Sequence, residues 1–208
     1  MKTFSSLMGK QTLLPIIQAN TVEQGVNIGK AMALAGIGLV EVVLRTEASL
    51  DIIKALKKDL PELKVGAGTV INGDILKQAL DAGSDFIITP TLSSNLLTHL
   101  DKCNVPVLPG VSNAADILLA KEFGYTELKL FPASLSGGAP FLKAMGSVFS
   151  DIIFCPTGGI NESNQQDFLS LNNVFAVGGT WVAKPEWVES ADWSKITQAC
   201  EAAQTSVA

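Results

Sequence analysis

Short runs of β-branched and other apolar residues recur along the chain at intervals of about 20 to 27 residues. Short apolar runs bounded by turn-forming residues are typical of buried strands. Most of these runs are separated by a segment with helical spacing, so strands and helices alternate. The pattern predicts eight strands, at Thr12–Ile17, Leu39–Leu44, Lys64–Ala67, Phe86–Thr89, Pro106–Leu108, Glu127–Phe131, Ile152–Cys155 and Val174–Val177.

The intervening segments place apolar residues three and four positions apart, which is the spacing of a helix with one buried face. Leu50–Leu60 is a clear case. The same spacing predicts helices at Val22–Leu34 and Ala114–Phe123, and a final helix at Ser194–Ala203. Gly124 stands where the third of these helices would stop, which is the usual place for glycine.

Strands that alternate with single helices imply parallel strands joined by right-handed crossovers. Eight such units predict an α/β fold, a single (β/α)₈ TIM barrel that is small and without large insertions at 208 residues. A doubly wound open sheet is disfavoured because no G-x-G-x-x-G motif follows the first strand. No linker divides the chain, so residues 1–208 are expected to form one barrel domain with a short N-terminal helix and a C-terminal helix.

The composition limits the chemistry that this chain can perform. Hydrophobic residues make up 47% of the chain and charged residues 17%, which allows a large core. The net charge of −5 argues against binding to nucleic acid, which usually requires a basic face. A single histidine, His99, excludes a histidine-rich metal site and disfavours a Ser-His-Asp triad. We therefore expect carboxylates, lysine and backbone groups to carry the chemistry.

The cysteines and the apolar pattern bear on where the protein works. Cys103, Cys155 and Cys200 form no C-x-x-C pair, which suits reduced thiols in the cytosol. The N-terminus lacks the apolar stretch and cleavage site of a signal peptide, and no apolar run approaches the roughly 18 residues of a membrane span. The sequence therefore predicts a soluble, cytoplasmic protein that does not bind membranes.

One predicted strand carries both a glutamate and the only arginine of the chain. In such a barrel the active site lies at the carboxyl ends of the strands. Glu41 interrupts an apolar strand, where a carboxylate is costly unless it is paired or functional. By the two-residue period of a strand, Glu41 and Arg45 share one face. Spacing leaves two interpretations open: a structural ion pair, or a general acid/base beside a guanidinium that binds a substrate carboxylate.

Lys129 lies between two leucines near the end of the sixth predicted strand. Lysine is rarely buried without a role, and a desolvated, neutral amine can attack a ketone to form a Schiff base. The alternative is a lysine whose ammonium group reaches out of the strand end into water. Glu127 shares a face with Lys129 and is a second candidate base. Glu41 is preferred because Glu127 lies nearer the amino end of the barrel.

Paired glycines follow the last two predicted strands, at Gly158-Gly159 and Gly178-Gly179. Backbone N–H groups after these two strands form the usual phosphate site of phosphate-binding barrels. Ordinary turns are the alternative, since Gly-Gly is common in turns. Backbone donors need no basic side chain, which is consistent with an acidic chain.

Together these motifs resemble, in one order, a known family. They are similar to the class I aldolases that cleave 2-keto-3-deoxy-6-phosphogluconate (KDPG) and 4-hydroxy-2-oxoglutarate (KHG). The similarity covers the chain from about Leu14 to Val182 and continues into the final helix. The motifs are E-V-V-L-R-T at 41–46, G-A-G-T-V at 66–70, I-T-P at 88–90, L-P-G-V-S at 108–112, L-K-L-F-P-A at 128–133, F-C-P-T-G-G-I at 154–160 and V-G-G-T-W at 177–181.

The resemblance implies a role for each motif residue. Lys129 would form the Schiff base, and Glu41 would act as general acid/base through a water. A homotrimer without metal, and with no cofactor beyond the covalent imine, is also implied. The implied substrate contacts are Arg45 and Thr69 on the pyruvyl carboxylate, Pro90 and Phe131 as pocket walls, Thr157 beside the phosphate site, and Gly158, Gly159, Gly178, Gly179 and Thr180 on the phosphate.

Four positions depart from the family pattern. Thr180 replaces the usual serine, Ser134 replaces a common glutamate, and Thr91 replaces a common glycine; Gln18 stands where many relatives have a basic residue. The expected substrate is KDPG, with its galactonate epimer and KHG as alternatives. A phosphosugar epimerase or isomerase, or a non-catalytic phosphometabolite-binding protein, on the same barrel would also use the phosphate site. Such an isomerase would not trap its substrate on a lysine.

Overall fold

Parallel strands and helices alternate along residues 3–205, the part of the chain that the computed structural model describes. The strands are β1 Leu13–Ile17, β2 Leu39–Val43, β3 Lys64–Gly68, β4 Ile87–Ile88, β5 Val107–Leu108, β6 Gly110–Val111, β7 Glu127–Leu130, β8 Ile153–Phe154 and β9 Val177–Gly179. The helices are α1 Phe4–Met8, α2 Val22–Leu34, α3 Ser49–Asp59, α4 Gly73–Asp81, α5 Ser94–Leu100, α6 Ala114–Glu122, α7 Gly138–Val148, α8 Gln165–Leu169, α9 Pro185–Glu189 and α10 Trp193–Thr205.

Four of the longer helices begin at a polar residue whose side chain caps the first turn. Thr21 accepts a hydrogen bond from the backbone N–H three residues later, and so do Asn72, Ser93 and Asn113. Each cap satisfies an N–H group that has no partner within the helix, which contributes about 0.5–2 kcal/mol. Local sequence therefore sets where α2, α4, α5 and α6 begin.

Within residues 3–205, no helix combines the length and hydropathy required to cross a membrane.

The strands do not close into one continuous barrel, so the prediction of a closed eight-stranded (β/α)₈ TIM barrel is wrong. Six strands form a curled parallel sheet in the order β5-β4-β3-β2-β1-β9. The other three form a small parallel sheet in the order β6-β7-β8. Between β8 and β9 the described residues form isolated bridges, Phe154 with Val174 and Thr157 with Gly178, in place of a ladder. The last predicted strand therefore begins at Val177 and not at Val174.

Pro109 explains the break at the other edge. Proline has no N–H to donate to a ladder. It separates β5, which pairs with β4, from β6, which pairs with β7. The N–H of Gly110 donates at 2.9 Å to the Thr89 hydroxyl rather than to a backbone carbonyl of β4. The predicted strand Pro106–Leu108 therefore corresponds to β5 alone, and β6 is a short strand that the sequence pattern does not predict.

The short helix α1 covers the amino-terminal ends of the strands. Its Phe4 meets Phe86 edge to face, with ring centroids 5.2 Å apart. Glu127, the first residue of β7, accepts hydrogen bonds from the backbone N–H and the hydroxyl of Ser5. Glu127 therefore holds α1 in place, and this contact explains its burial without a catalytic role.

Candidate active site

A lysine and a glutamate meet in the interior between the two sheets. Glu41 on β2 has no exposed surface, and Lys129 on β7 is 4% exposed. The Lys129 Nζ lies 3.1 Å from Glu41 Oε1 and 3.3 Å from Oε2. Burial of two charges is costly unless each compensates the other. The pair is therefore an arrangement that a purely structural core would not require.

The ion pair also settles two alternatives that spacing leaves open. Glu41 pairs with Lys129 and not with Arg45, so the structural Glu41–Arg45 ion pair is excluded. The ammonium group of Lys129 is buried, so it does not reach out of the strand end into water.

Gly68, the last residue of β3, leaves the space that the Glu41 carboxyl group occupies. A Cβ placed on Gly68 would overlap Glu41 Oε1 and would lie 2.8 Å from its Cγ and Cδ. That separation is shorter than real Cβ contacts show, so any side chain here must displace the glutamate. The small residues in the motif at 66–70 thus make room for a buried carboxylate.

Two neighbours define the surroundings of the lysine. The Phe131 ring lies beside it, with its centroid 5.4 Å from Nζ, which is within the range of a cation–π contact. Cys155 is buried in the same interior, and burial raises the pKa of its thiol to about 12. The thiol is therefore protonated at neutral pH and is a poor nucleophile. Of these two groups, Lys129 is therefore the stronger candidate nucleophile.

Arg45 and Thr69 lie together beyond the end of this interior. Arg45 Nε donates to Thr69 Oγ1 at 3.3 Å, and the guanidinium group is exposed. Thr69 has a φ of 64°, a left-handed conformation that costs about 1–3 kcal/mol for a residue of this type. Strained backbone of this kind clusters at binding sites. A guanidinium and a hydroxyl so placed can bind a carboxylate together.

A cavity of about 150 Å³ opens at the carboxyl ends of the strands, with Lys129 in its wall. Gly158 and Gly159 turn the chain there with φ values of 96° and 78°, which residues with a side chain rarely adopt. The hydroxyl of Thr157 is buried in the same wall and, apart from the Cys155 thiol, has no hydrogen-bond partner among residues 3–205. An unpaired buried hydroxyl beside a cavity is well placed to bind a ligand.

The sequence and the fold place this chain in a known family. The KDPG and KHG aldolase family model matches residues 4–199. The chain belongs to the KDPG and KHG aldolase family. The 2-dehydro-3-deoxy-phosphogluconate aldolase of Pseudoalteromonas atlantica is 42% identical over 186 residues, which are 89% of this chain and 86% of that protein. The KHG/KDPG aldolase of Escherichia coli K12 is 37% identical over 193 residues, 93% and 91% of the two chains.

A solved structure of the family is also similar. The KDPG aldolase from Legionella pneumophila, crystallised with pyruvate captured as a covalent carbinolamine, has a TM-score of 0.92 to this chain. The two are 35% identical, and the match covers 95% of this chain and 96% of that one. The shared fold therefore extends over nearly the whole of both chains.

In the chain described here, most of the predicted site residues lie at one cavity. Its wall includes Arg45, Lys129, Phe131, Thr157, Gly158, Gly159, Gly179 and Thr180. Glu41 lies behind Lys129, and Thr69 lies behind Arg45. Pro90 and Gly178 are not in the wall: the Pro90 backbone lies against Gly110, and Gly178 lies against the Thr157 side chain.

Four wall residues of this aldolase were not among the predicted site residues. They are Ile16, Gln18, Val43 and Ile160. Val43 lies two residues beyond Glu41 and shares its face, so strand periodicity could have found it. Gln18 was noted only as a departure from the family pattern, although a polar residue directly after a strand is a signal for a site. Ile16 and Ile160 are apolar residues at strand ends, and nothing in their local pattern distinguishes them from core. Among residues 3–205, no group of three or more His, Cys, Asp or Glu side chains is placed to hold a metal ion.

Replacing Gly68 by alanine is expected to displace the Glu41 carboxyl group from Lys129. Because a misplacement of about 1 Å can cost about a hundredfold in rate, we expect kcat for KDPG cleavage to fall at least about tenfold. Steady-state kinetics with purified protein would measure this. The matched control is Gly38→Ala, because a Cβ there would meet its nearest atom, Gln11 Oε1, at 3.9 Å. Equal kcat values for the two variants would contradict the proposed function of Gly68.

Proposed function

We propose that this protein is a class I aldolase that cleaves KDPG to pyruvate and glyceraldehyde 3-phosphate through a Schiff base on Lys129. The buried contact of 3.1 Å between Lys129 Nζ and Glu41 Oε1 is the observation that carries the proposal. It supplies a nucleophile and an acid/base at one point. The same site would cleave KHG to pyruvate and glyoxylate, and 2-keto-3-deoxy-6-phosphogalactonate is the alternative phosphorylated substrate.

The first step forms the imine. In an apolar interior, transfer of the proton from the Lys129 ammonium to the Glu41 carboxylate removes two buried charges and leaves a neutral amine. The amine attacks the C2 ketone, and a carbinolamine forms. Glu41 then donates its proton to the departing hydroxyl group, which leaves as water. The product is a protonated imine, which withdraws electrons from C3.

The second step breaks the C3–C4 bond. The Glu41 carboxylate takes the proton of the C4 hydroxyl, directly or through a water. The electron pair of the bond passes to the imine, which gives an enamine of pyruvate, and glyceraldehyde 3-phosphate leaves as the aldehyde. Protonation of the enamine at C3 and hydrolysis of the imine by water release pyruvate and restore Lys129.

The cavity wall would hold the two ends of the substrate. Arg45 and Thr69 would bind the C1 carboxylate, because a guanidinium and a hydroxyl both donate hydrogen bonds to carboxylate oxygens. The phosphate would lie against the Gly158-Gly159 turn and the Thr180 hydroxyl, which also line the cavity. Between these two ends, C2 would face Lys129 Nζ.

Loss of the Thr180 hydroxyl should weaken the binding of phosphorylated substrates and leave that of unphosphorylated substrates nearly unchanged. A hydrogen bond to a charged group contributes about 1.5–3 kcal/mol, so Thr180→Ala should raise KM for KDPG about tenfold with a smaller change in kcat. KHG carries no phosphate and provides an internal control, since its kinetics should be nearly unchanged. Thr180→Ser should behave like the parent protein. Equal losses for KDPG and KHG would show that Thr180 does not bind the phosphate.

Reductive trapping tests the proposed function. The protein is incubated with pyruvate, reduced with borohydride and digested for mass spectrometry. We expect a reduced pyruvate adduct on the peptide that contains Lys129, and on no other lysine. A folded protein that gives no adduct at Lys129 would overturn the Schiff-base mechanism and favour an isomerase or a binding protein.

Three accompanying properties belong to the same proposal. Catalysis needs no metal, because Lys129 supplies the nucleophile and Glu41 supplies the general acid/base. KDPG turnover should therefore survive treatment with a chelator. A homotrimer would cover apolar side chains such as Leu118 and Leu135, which are 50% and 87% exposed, and light scattering would give its mass. A cytoplasmic location is consistent with the free thiols of Cys103, Cys155 and Cys200.

A further inference from the structure

A second cavity adjoins the active-site cavity. Its volume is about 230 Å³, against about 150 Å³ for the active-site cavity. The two cavities share three wall residues, Ile16, Gln18 and Thr180. We call the second cavity the annex. Its wall also includes Asn20 and Gln24 at the start of α2, and Ala183, Pro185, Val188 and Glu189 around α9.

Apart from Glu189, the polar side chains of the annex are neutral amides and a hydroxyl. The amides belong to Gln18, Asn20 and Gln24, and the hydroxyl to Thr180. The Gln24 side-chain oxygen accepts from the Asn20 backbone N–H at 3.2 Å, which fixes the orientation of that amide. Amides both donate and accept hydrogen bonds, which matches the hydroxyl groups of a ligand.

The charge of the annex argues against an anionic ligand. No lysine or arginine is among its wall residues, and its one charged residue is Glu189. A phosphate or carboxylate would therefore meet a carboxylate and no cation. Pro185 and Val188 offer apolar surface for the C–H groups of a carbon chain. A neutral carbon chain that carries several hydroxyl groups would match both the amide groups and the apolar side chains of the wall.

We propose that the annex is a subsite for uncharged, polyhydroxylated aldehydes of four or five carbons in the reverse, aldol-forming reaction. Such an aldehyde would present its carbonyl carbon to the enamine on Lys129 and extend past Thr180 into the annex. The enamine C3 forms the new bond to that carbon, the aldehyde oxygen takes the Glu41 proton, and water hydrolyses the imine. The inference rests on the proposed aldolase function.

Aldol addition of pyruvate to D-erythrose and D-ribose tests the annex, with D-glyceraldehyde 3-phosphate as the reference acceptor. We expect wild-type protein to form both sugar adducts, detected by mass spectrometry. Ala183→Leu adds apolar volume to the annex and should lower the ratio of kcat/KM for a sugar to kcat/KM for the reference about tenfold. Asn20→Ala removes one amide and should lower the same ratio. Only a small fraction of each sugar is in the open-chain aldehyde form. That fraction is the same for every variant, so it does not affect the comparison between variants.

Ala115→Leu is the control variant. It adds the same side chain at an exposed position of α6, away from the annex, and should leave the ratio at the wild-type value. Thermal denaturation of each variant confirms that it is folded. Absence of sugar adducts with wild-type protein, or an unchanged ratio in both Ala183→Leu and Asn20→Ala, would overturn the proposal that the annex binds these aldehydes. If wild-type protein also fails to trap pyruvate on Lys129, the aldolase function itself is refuted.

Discussion

Lys129→Ala is expected to abolish KDPG cleavage, with kcat lowered by about four orders of magnitude or more. Alanine has no amine, so neither the carbinolamine nor the imine can form, and the C3–C4 bond has no electron sink. Borohydride trapping with pyruvate should yield no adduct. Coupled assays for pyruvate release and mass spectrometry of the intact protein would measure both results.

Alanine at position 129 also leaves the Glu41 carboxylate buried without its partner, which is destabilising. Lys129→Arg is therefore the matched variant, because arginine keeps the positive charge beside Glu41 but remains protonated and cannot form an imine. Both variants should be inactive, while Lys129→Arg should remain closer to the parent protein in its melting temperature. Normal turnover by Lys129→Ala would rule out the Schiff-base mechanism.

Glu41→Gln is expected to lower kcat for KDPG cleavage by about 10²- to 10⁴-fold, the range typical of general acid/base groups. Glutamine has nearly the same shape but can neither take the C4 hydroxyl proton nor return it. Pyruvate needs no C3–C4 cleavage to bind, so the variant should still form some borohydride-trapped adduct. Single-turnover cleavage and trapping yield, measured side by side, separate bond cleavage from imine formation.

Glu127→Gln is the matched control, since Glu127 lies on the same strand as Lys129 but binds Ser5 at the covered amino end. It should lower stability through the loosened α1 and leave kcat unchanged. If Glu127→Gln were as slow as Glu41→Gln, the assignment of the acid/base to Glu41 would fail.

Several elements follow from local sequence alone. The structure begins and ends α2 at Val22 and Leu34, as the apolar spacing predicts, because the Thr21 cap and the buried stripe both depend on residues a few positions apart. The glycine turn at Gly158-Gly159 is likewise readable, since left-handed backbone favours glycine. The order of motifs was sufficient to indicate the family, which the family model confirms.

Other features depend on contacts that no local pattern contains. Spacing left a Glu41–Arg45 ion pair open as one of two interpretations, but Glu41 forms its ion pair with Lys129, 88 residues away in sequence. The Pro90 backbone packs against Gly110, 20 residues further along the chain, and no local pattern contains that contact. The annex joins the end of β1 to the residues around α9, which are far apart in the chain.

By itself, the sequence determined the alternation of strands and helices, the helix caps, the Gly158-Gly159 turn and the residue types from which the site is built, whereas the structure places Gly178 and Gly179 within β9. Each of these depends on the preferences of residues within a few positions of one another. The tertiary structure alone decided that the strands form two sheets, that Lys129 and Glu41 meet between them, and that a second cavity opens beside Thr180. Those outcomes depend on pairing and packing summed over the whole chain, where side chains distant in sequence compete for the same buried space.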